Sequence, residues 1–222
     1  MKTFSIAIDG PAGAGKSTIA KKIASDLKCV YIDTGAMYRS VGYYCLQNGI
    51  NYGDEAAVCS ALEKMTIILK TSENGQRIFL NDEDVSLKIR TDEVAAAASK
   101  VATYGPVREA LVERQQEMAK SQAIIMDGRD IGTVVLPFAT LKIFLTASVE
   151  ERAQRRYKEY TEKGMEVCLE TLKEEIKVRD AQDTGRKISP LKKAEDAVEV
   201  DTTYMSIDEI VEVIKEKLNE RI

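Results

Sequence analysis

An α/β fold with five parallel strands between two layers of helices is what the sequence predicts, and three observations predict it. Five short apolar runs recur along the 222 residues, helical patterns lie between and after most of them, and the first run ends in a glycine-rich loop that opens a helix. The runs are nearly continuous in apolar character rather than alternating, which marks strands buried on both faces, as parallel strands are.

Phe4 to Ile8 is the first strand. The loop Gly10-Pro-Ala-Gly-Ala-Gly15-Lys16-Ser17 follows it, and a helix opens at Ser17. Cys29 to Ile32 reads as the second strand, and a helix from about Gly35 to Asn48 stops against Gly49, a C-terminal cap. Residues 65–86 break the rhythm. Two strand-like runs there meet at Asn74-Gly75, a hairpin signal, so a small antiparallel insert is expected. From Thr91 to Lys120 the composition is helical, but Gly105-Pro106 divides it into two helices, with Pro106 starting the second. Ala123 to Met126, Leu141 to Leu145 and Ala197 to Val200 supply the remaining strands. Ser148 with Glu151, and Ser206 with Glu209, each fit a capping box that opens a helix after a strand. The charged stretch from Glu150 to Lys193 has stops at Gly164 and at Thr184-Gly185, which predicts two helices flanking a mobile connection.

Composition narrows the function. With 44% hydrophobic and 31% charged residues and no low-complexity tract, the chain should fold as one soluble globular domain carrying insertions. A net charge of −4 argues against a protein that coats nucleic acid, so any anion site must be a local cluster of Lys and Arg. No apolar run reaches the ~20 residues of a membrane span, and the N-terminus lacks a signal-peptide pattern; no membrane association and a cytoplasmic location are expected. Cys29, Cys45, Cys59 and Cys168 form no CxxC and are read as free thiols. Histidine is absent, which removes Ser-His-Asp and Cys-His nucleophiles and imidazole metal ligands together.

The loop from Gly10 through Pro11, Ala12, Gly13, Ala14 and Gly15 to Lys16 and Ser17 matches G-x-x-x-x-G-K-[ST] between a strand and a helix, the context that gives the motif meaning. Its backbone N–H groups can converge on phosphate oxygens, Lys16 can reach the outer phosphates, and the Ser17 hydroxyl can ligate Mg²⁺. Thr18 adds a hydroxyl near the inner phosphate. A guanine-reading N-K-x-D is missing, and the third strand ends in Ile124-Ile-Met-Asp127-Gly-Arg-Asp130 rather than in paired acids, so a switch GTPase and a motor ATPase are disfavoured. An acid and an arginine at the carboxyl end of a strand suit a phosphate-bearing acceptor. Arg39, Arg129, Arg152, Arg155, Arg156, Arg179 and Arg186 are the candidates to hold phosphates, because the guanidinium fork grips them bidentately. Arg152, Arg155 and Arg156 share a helix face, and the segment bearing them would close over ATP as a lid.

Five motifs in this order and spacing, GPAGAGKST, DTGAMYR, SKVATYGPVREALVERQQ, DGRDIGT and RDAQDTGR, resemble those of the bacterial cytidylate kinases, over residues 4 to about 215. The resemblance implies a P-loop three-layer α/β/α core (about 1–34, 121–150 and 190–222), an acceptor-binding lobe (about 35–120) with its insert at 65–86, and a helical lid (about 151–186). It implies phosphoryl transfer from ATP, with Mg²⁺, to CMP or dCMP. Lys16, Arg129, Asp130 and Arg186 would form the catalytic set, and Arg155 and Arg156 would meet ATP. Ser99, Arg108 and Asp130 would meet cytosine, Arg179 and Asp183 the ribose, and Arg39, Arg129 and Arg186 the acceptor phosphate, with Thr34 adding a hydroxyl. Cytosine presents an N4 donor beside N3 and O2 acceptors, which an acid plus donors fits; uracil reverses the donor and would lose a bond. A related kinase acting on UMP, AMP or shikimate is the nearest rival, and a nucleotide-sensing switch or RNA-processing protein is a rival of another class. With no long exposed apolar face, a monomer is expected.

Overall fold

A computed structural model of the chain describes residues 4–72, 75–120 and 122–222. It divides into two compact units, Met1–Cys29 with Ala123–Ile222, and Val30–Gln122.

The five apolar runs become β1 (Ser5–Asp9), β2 (Val30–Asp33), β6 (Ile124–Gly128), β7 (Leu141–Thr146) and β8 (Val198–Asp201), in a five-stranded parallel sheet of order β2-β6-β1-β7-β8. Registers are parallel throughout the first unit: Ile8 lies beside Asp127 and Ile143, and Leu145 beside Val200. Ile6, Ile8, Ile124, Ile125, Met126, Leu141 and Ile143 are fully buried, as continuous apolar runs between two helical layers require. Because β1 sits between β6 and β7, connections leave it in both directions, and the ends of these strands frame the crevice where such sheets bind ligands. Helix α1 (Lys16–Leu27) runs directly out of the glycine loop. At the far end α8 (Ile207–Asn219) opens on a complete capping box, with Ser206 Oγ accepting from Glu209 N at 3.3 Å and Glu209 Oε2 accepting from Ser206 N at 2.7 Å. The box expected at Ser148 is only half made. Ser148 caps α6 (Val149–Glu162), but the Glu151 carboxylate accepts from Arg155 Nε at 2.9 Å, an ion pair along the helix that outcompetes the return bond. A second helix, α7 (Leu169–Thr184), packs on α6 through Ala153, Leu172 and Ile176.

In the second unit, α2 (Thr34–Gln47) ends in the predicted glycine cap. Gly49 has φ +64, Ile50 N bonds Cys45 O at 2.8 Å, and Gly49 N bonds Leu46 O, the paired bonds of a Schellman turn. Helix α3 (Glu55–Leu62) is not among the predicted elements; eight residues are too few for a clear period, though Asp54 caps Ala56 and Ala57. The insert is a three-stranded antiparallel sheet, β3 (Ile67–Ser72), β4 (Gly75–Leu80) and β5 (Glu83–Asp84), with Ile67 opposite Leu80. Asn74 of the expected Asn74-Gly75 turn lies outside the described residues. The helical stretch splits as predicted into α4 (Asp92–Val101) and α5 (Gly105–Met118), with Pro106 in the first turn of the second. Met37, Val41, Cys45, Val58, Ile78, Val85, Val94 and Leu111 form one core joining insert to helices. Helices α2 and α4 meet so closely that a Cβ on Gly42 would stand 2.9 Å from Ala98 N.

Candidate active site

Residues at the carboxyl ends of β1 and β6 build the first cluster. Gly10 has φ +149, and a Cβ there would lie 2.1 Å from the Leu145 carbonyl oxygen, so only glycine lets the loop turn beneath β7. Gly15, at φ 86, is the residue from which α1 starts, which aims that helix's unpaired N–H groups and its positive end toward the loop. Pro11 and Ala12 are half-buried, Gly13 and Thr18 are exposed, and Ala14 is buried. Lys16 is buried and its Nζ donates to Pro11 O at 2.7 Å across the loop. Burial, and then the nearby Arg129 guanidinium, push its pKa well below the ordinary value, against the pull of Asp127, Asp9 and Asp183. Ser17 Oγ donates to Asp127 Oδ2 at 2.8 Å, which sets one hydroxyl and one carboxylate side by side. Mg²⁺ takes hard oxygen ligands, one or two of them from protein with the rest from phosphates and water, and this pair fits that demand.

Just past β6 the chain places Arg129 and Asp130, both expected at the acceptor. Arg129 Nε donates to Asp183 Oδ2 at 2.7 Å, Arg186 Nη2 donates to Asp183 Oδ1, and Arg179 lies near enough to add its charge. Burial alone would raise the Asp183 carboxyl, but Arg129 and Arg186 outweigh it and hold the pKa below the ordinary value. Arg129 and three residues of the RDAQDTGR motif, Arg179, Asp183 and Arg186, are thus one cluster. Asp130 is buried at the head of a single π turn, Ile131–Val135. That turn's first two N–H groups are taken by Asp9, with Ile131 N to Oδ1 at 2.8 Å and Gly132 N to Oδ2 at 2.7 Å. Burial raises the Asp9 pKa to about 6 in spite of both bonds.

The three arginines of α6 take separate tasks. Arg152 is buried, forks onto Asp180 of α7 at 3.0 and 2.6 Å, and donates to Ala12 O of the glycine loop at 3.1 Å. Arg155 donates to Thr202 O at 2.7 Å, and its Nη1 is the nearest atom to a Cβ built on Gly15, at 3.9 Å. Arg156 turns to the Tyr160 hydroxyl at 2.7 Å and to Glu175 at 3.4 Å.

A separate cluster occupies the second unit. Asp33 caps α2 by accepting from Ala36 N at 2.8 Å, and also accepts from Arg39 Nη2 at 3.1 and 2.9 Å and from Arg90 Nη2 at 3.0 Å. Burial would raise this carboxyl, but the two guanidiniums hold its pKa below the ordinary value. Gln76 of the insert donates to Tyr31 O at 2.7 Å and accepts from Asp33 N at 3.1 Å, which ties β4 to the end of β2. Thr34 is buried in the first turn of α2, and Ser99 is half-buried on α4. Arg108 of α5 is buried, donates to Ala102 O at 3.2 Å, and lies over the Tyr38 ring at 5.6 Å.

Asp9, Arg90, Gln76 and Asp180 are the contributors that sequence reasoning missed. Only Asp9 carried a signal, as an acid ending an otherwise apolar strand immediately before the glycine loop.

The family model described as cytidylate kinase matches residues 6–220. A cytidylate kinase of Geobacillus sp. strain WCH70 is 56% identical over 98% of this chain and 97% of its own length. One from Streptococcus suis strain 05ZYH33 is 55% identical over 99% and 98%. Among solved structures, a gluconokinase from Sinorhizobium meliloti 1021 aligns over 99% of this chain and 94% of its own at a TM-score of 0.51 and 16% identity, a likeness of fold.

Proposed function

The chain belongs to the cytidylate kinase family, and on that premise we propose that it transfers the γ-phosphoryl group of ATP to the phosphate of CMP or dCMP, giving ADP with CDP or dCDP. The observation that carries this reading is the union, at one end of the sheet, of Lys16, Ser17 and Asp127 with the Arg129, Asp183 and Arg186 cluster, since Arg129 is close enough to Lys16 to depress its pKa. A phosphate donor needs the first group of residues; in the second, Arg129 and Arg186 suit an acceptor phosphate, and Asp183 holds both guanidiniums in place.

The glycine loop and Lys16 bind the ATP phosphates. When bound with ATP, Mg²⁺ neutralises phosphate charge, and Ser17 with Asp127 would hold it. Arg39, Arg129 and Arg186 bind the acceptor phosphate, assisted by Thr34. Arg179 and Asp183 hold the ribose, and Ser99, Arg108 and Asp130 read the cytosine edge. No base is needed, because a phosphate with a second pKa of ~6 is largely dianionic at pH 7, and this accords with a chain that has no histidine. Rate comes from positioning two polyanions in line and from cations fixed where charge gathers in the transition state. Arg155 and Arg156 act on ATP from the lid helices, whose closure excludes water.

No helix among the described residues is long and apolar enough to cross a membrane. The reading takes ATP and CMP or dCMP as the only partners, with the protein acting as a cytoplasmic monomer that does not bind nucleic acid.

The test is ADP release with ATP and Mg²⁺ against CMP, dCMP, UMP, AMP, GMP and shikimate. CMP and dCMP should stimulate release far above the ATP-only rate, and UMP should do so weakly. Stimulation by shikimate or AMP instead would assign another acceptor, and no stimulation by any of them would point to a switch.

A further inference from the structure

Asp130 heads the π turn, yet its side chain does not cap that turn. This is unusual on chemical grounds, since aspartate at the head of a helical turn ordinarily curls back to accept from the second or third N–H. A π turn also leaves more leading N–H groups without an internal partner than an α turn. Here Val135 N bonds Asp130 O at 3.2 Å and Leu136 N bonds Ile131 O at 2.6 Å, while the N–H groups of Ile131 and Gly132 point back at Asp9. The cap is therefore supplied in trans, from the last residue of the neighbouring central strand.

We propose that Asp9 is the positioning residue for cytosine recognition: by holding the Ile131 and Gly132 N–H groups on its two carboxylate oxygens, it fixes the start of the turn and competes with the Asp130 carboxylate for the Gly132 N–H, which leaves that carboxylate for the base. This rests on the reading of Asp130 as the cytosine acceptor. Two further features agree with it. The turn is built around Asp9, since a Cβ on Gly132 would meet Lys142 Cδ at 3.2 Å and Asp9 Oδ2 at 3.4 Å. And Asp9 accepts both N–H groups at 2.8 and 2.7 Å although burial and the neighbouring Asp130 charge both disfavour its ionised form.

Asp9→Asn replaces one acceptor oxygen with an NH₂ group that must face a backbone N–H, so the turn loses half of its cap and the Asp130 side chain becomes the nearest substitute. The ratio of kcat/KM for CMP to that for UMP should fall about tenfold, with the KM for ATP changed by less than about threefold; one lost bond in a buried site is of this size. Because a reduced folded fraction lowers both nucleotides alike, the ratio reports positioning and not folding. In an Asp130→Ala background, Asp9→Asn should leave the ratio where Asp130→Ala alone puts it. If Asp9→Asn does not accumulate as folded protein, Gly132→Ala presses on the same carboxylate and should lower the ratio by a smaller factor. An unchanged ratio with a raised KM for ATP would overturn the proposal and assign Asp9 to the glycine loop. If Asp130→Ala itself leaves the ratio intact, the base-reading role of Asp130 falls and takes the proposal with it; if Asp130→Ala lowers the ratio and Asp9→Asn does not, the proposal alone falls.

Discussion

Lys16 is buried with its ammonium on a carbonyl, in surroundings that disfavour its charge. A polyphosphate would reverse that balance, since the charge lost to desolvation is regained against several anionic oxygens. Lys16→Ala should therefore reduce kcat by roughly 10²- to 10³-fold, the cost of removing one preorganised electrostatic donor, while CMP affinity measured by calorimetry changes little. Equal losses in kcat and CMP affinity would contradict its assignment to the donor nucleotide. At this scale legibility depended on chain locality. Gly10, Lys16 and Ser17 were readable because a contiguous motif dictates their backbone, and Arg129 because it ends a strand. Arg90 and Asp180 were not, because a charged residue that reaches across the fold looks, in sequence, like any solvated one.

Among the elements, Arg152 fastens α6 and α7 to the glycine loop. Arg152 forks onto Asp180 and donates to Ala12 O from a buried position. Asp180→Ala would leave that guanidinium without its counter-ion, and unfolding should cost about 3 kcal/mol or more less than for the wild type by denaturant titration, with KM for ATP raised. A loss confined to stability would separate the pair from the loop. The α2 and α4 contact sets a second test. Gly42→Ala gains up to ~1 kcal/mol of helix propensity but drives a Cβ against backbone at 2.9 Å, an overpacking of about 1–3 kcal/mol, so net destabilisation of up to ~2 kcal/mol is expected in thermal melts. Stabilisation would mean the two helices separate without penalty. Strand and helix order was legible because apolar runs and caps are local signals, and so were Gly49 and Pro106 as helix boundaries. The π turn was not, since nothing in Ile131-Gly-Thr-Val-Val135 distinguishes it from a loop until Asp9 supplies the partner for its N–H groups.

For the whole molecule, three of the buried carboxylates, Asp9, Asp33 and Asp183, give stability a pH dependence of mixed sign. Asp33 and Asp183 titrate below their ordinary value, so what they contribute is present at neutral pH and is lost only as pH falls below ~4 through their folded pKa values. Asp9 acts the other way. Its pKa is raised from 3.8 to about 6, so the folded chain takes up its proton first, and the burden of that buried charge, about 3 kcal/mol at pH 7, is relieved as pH falls from about 6 to 4. The stability of Asp9→Asn relative to the wild type should accordingly decrease between pH 7 and pH 4.5 in denaturant titrations, and a pH-independent difference would contradict the raised pKa.

The fate of the γ-phosphoryl group separates transfer from hydrolysis. With ATP labelled on its γ-phosphate, CMP and Mg²⁺, label should appear in the β-phosphate of CDP in equal amount to the ADP formed, with little free phosphate. Label released as inorganic phosphate while CMP remains unchanged would contradict transfer to CMP.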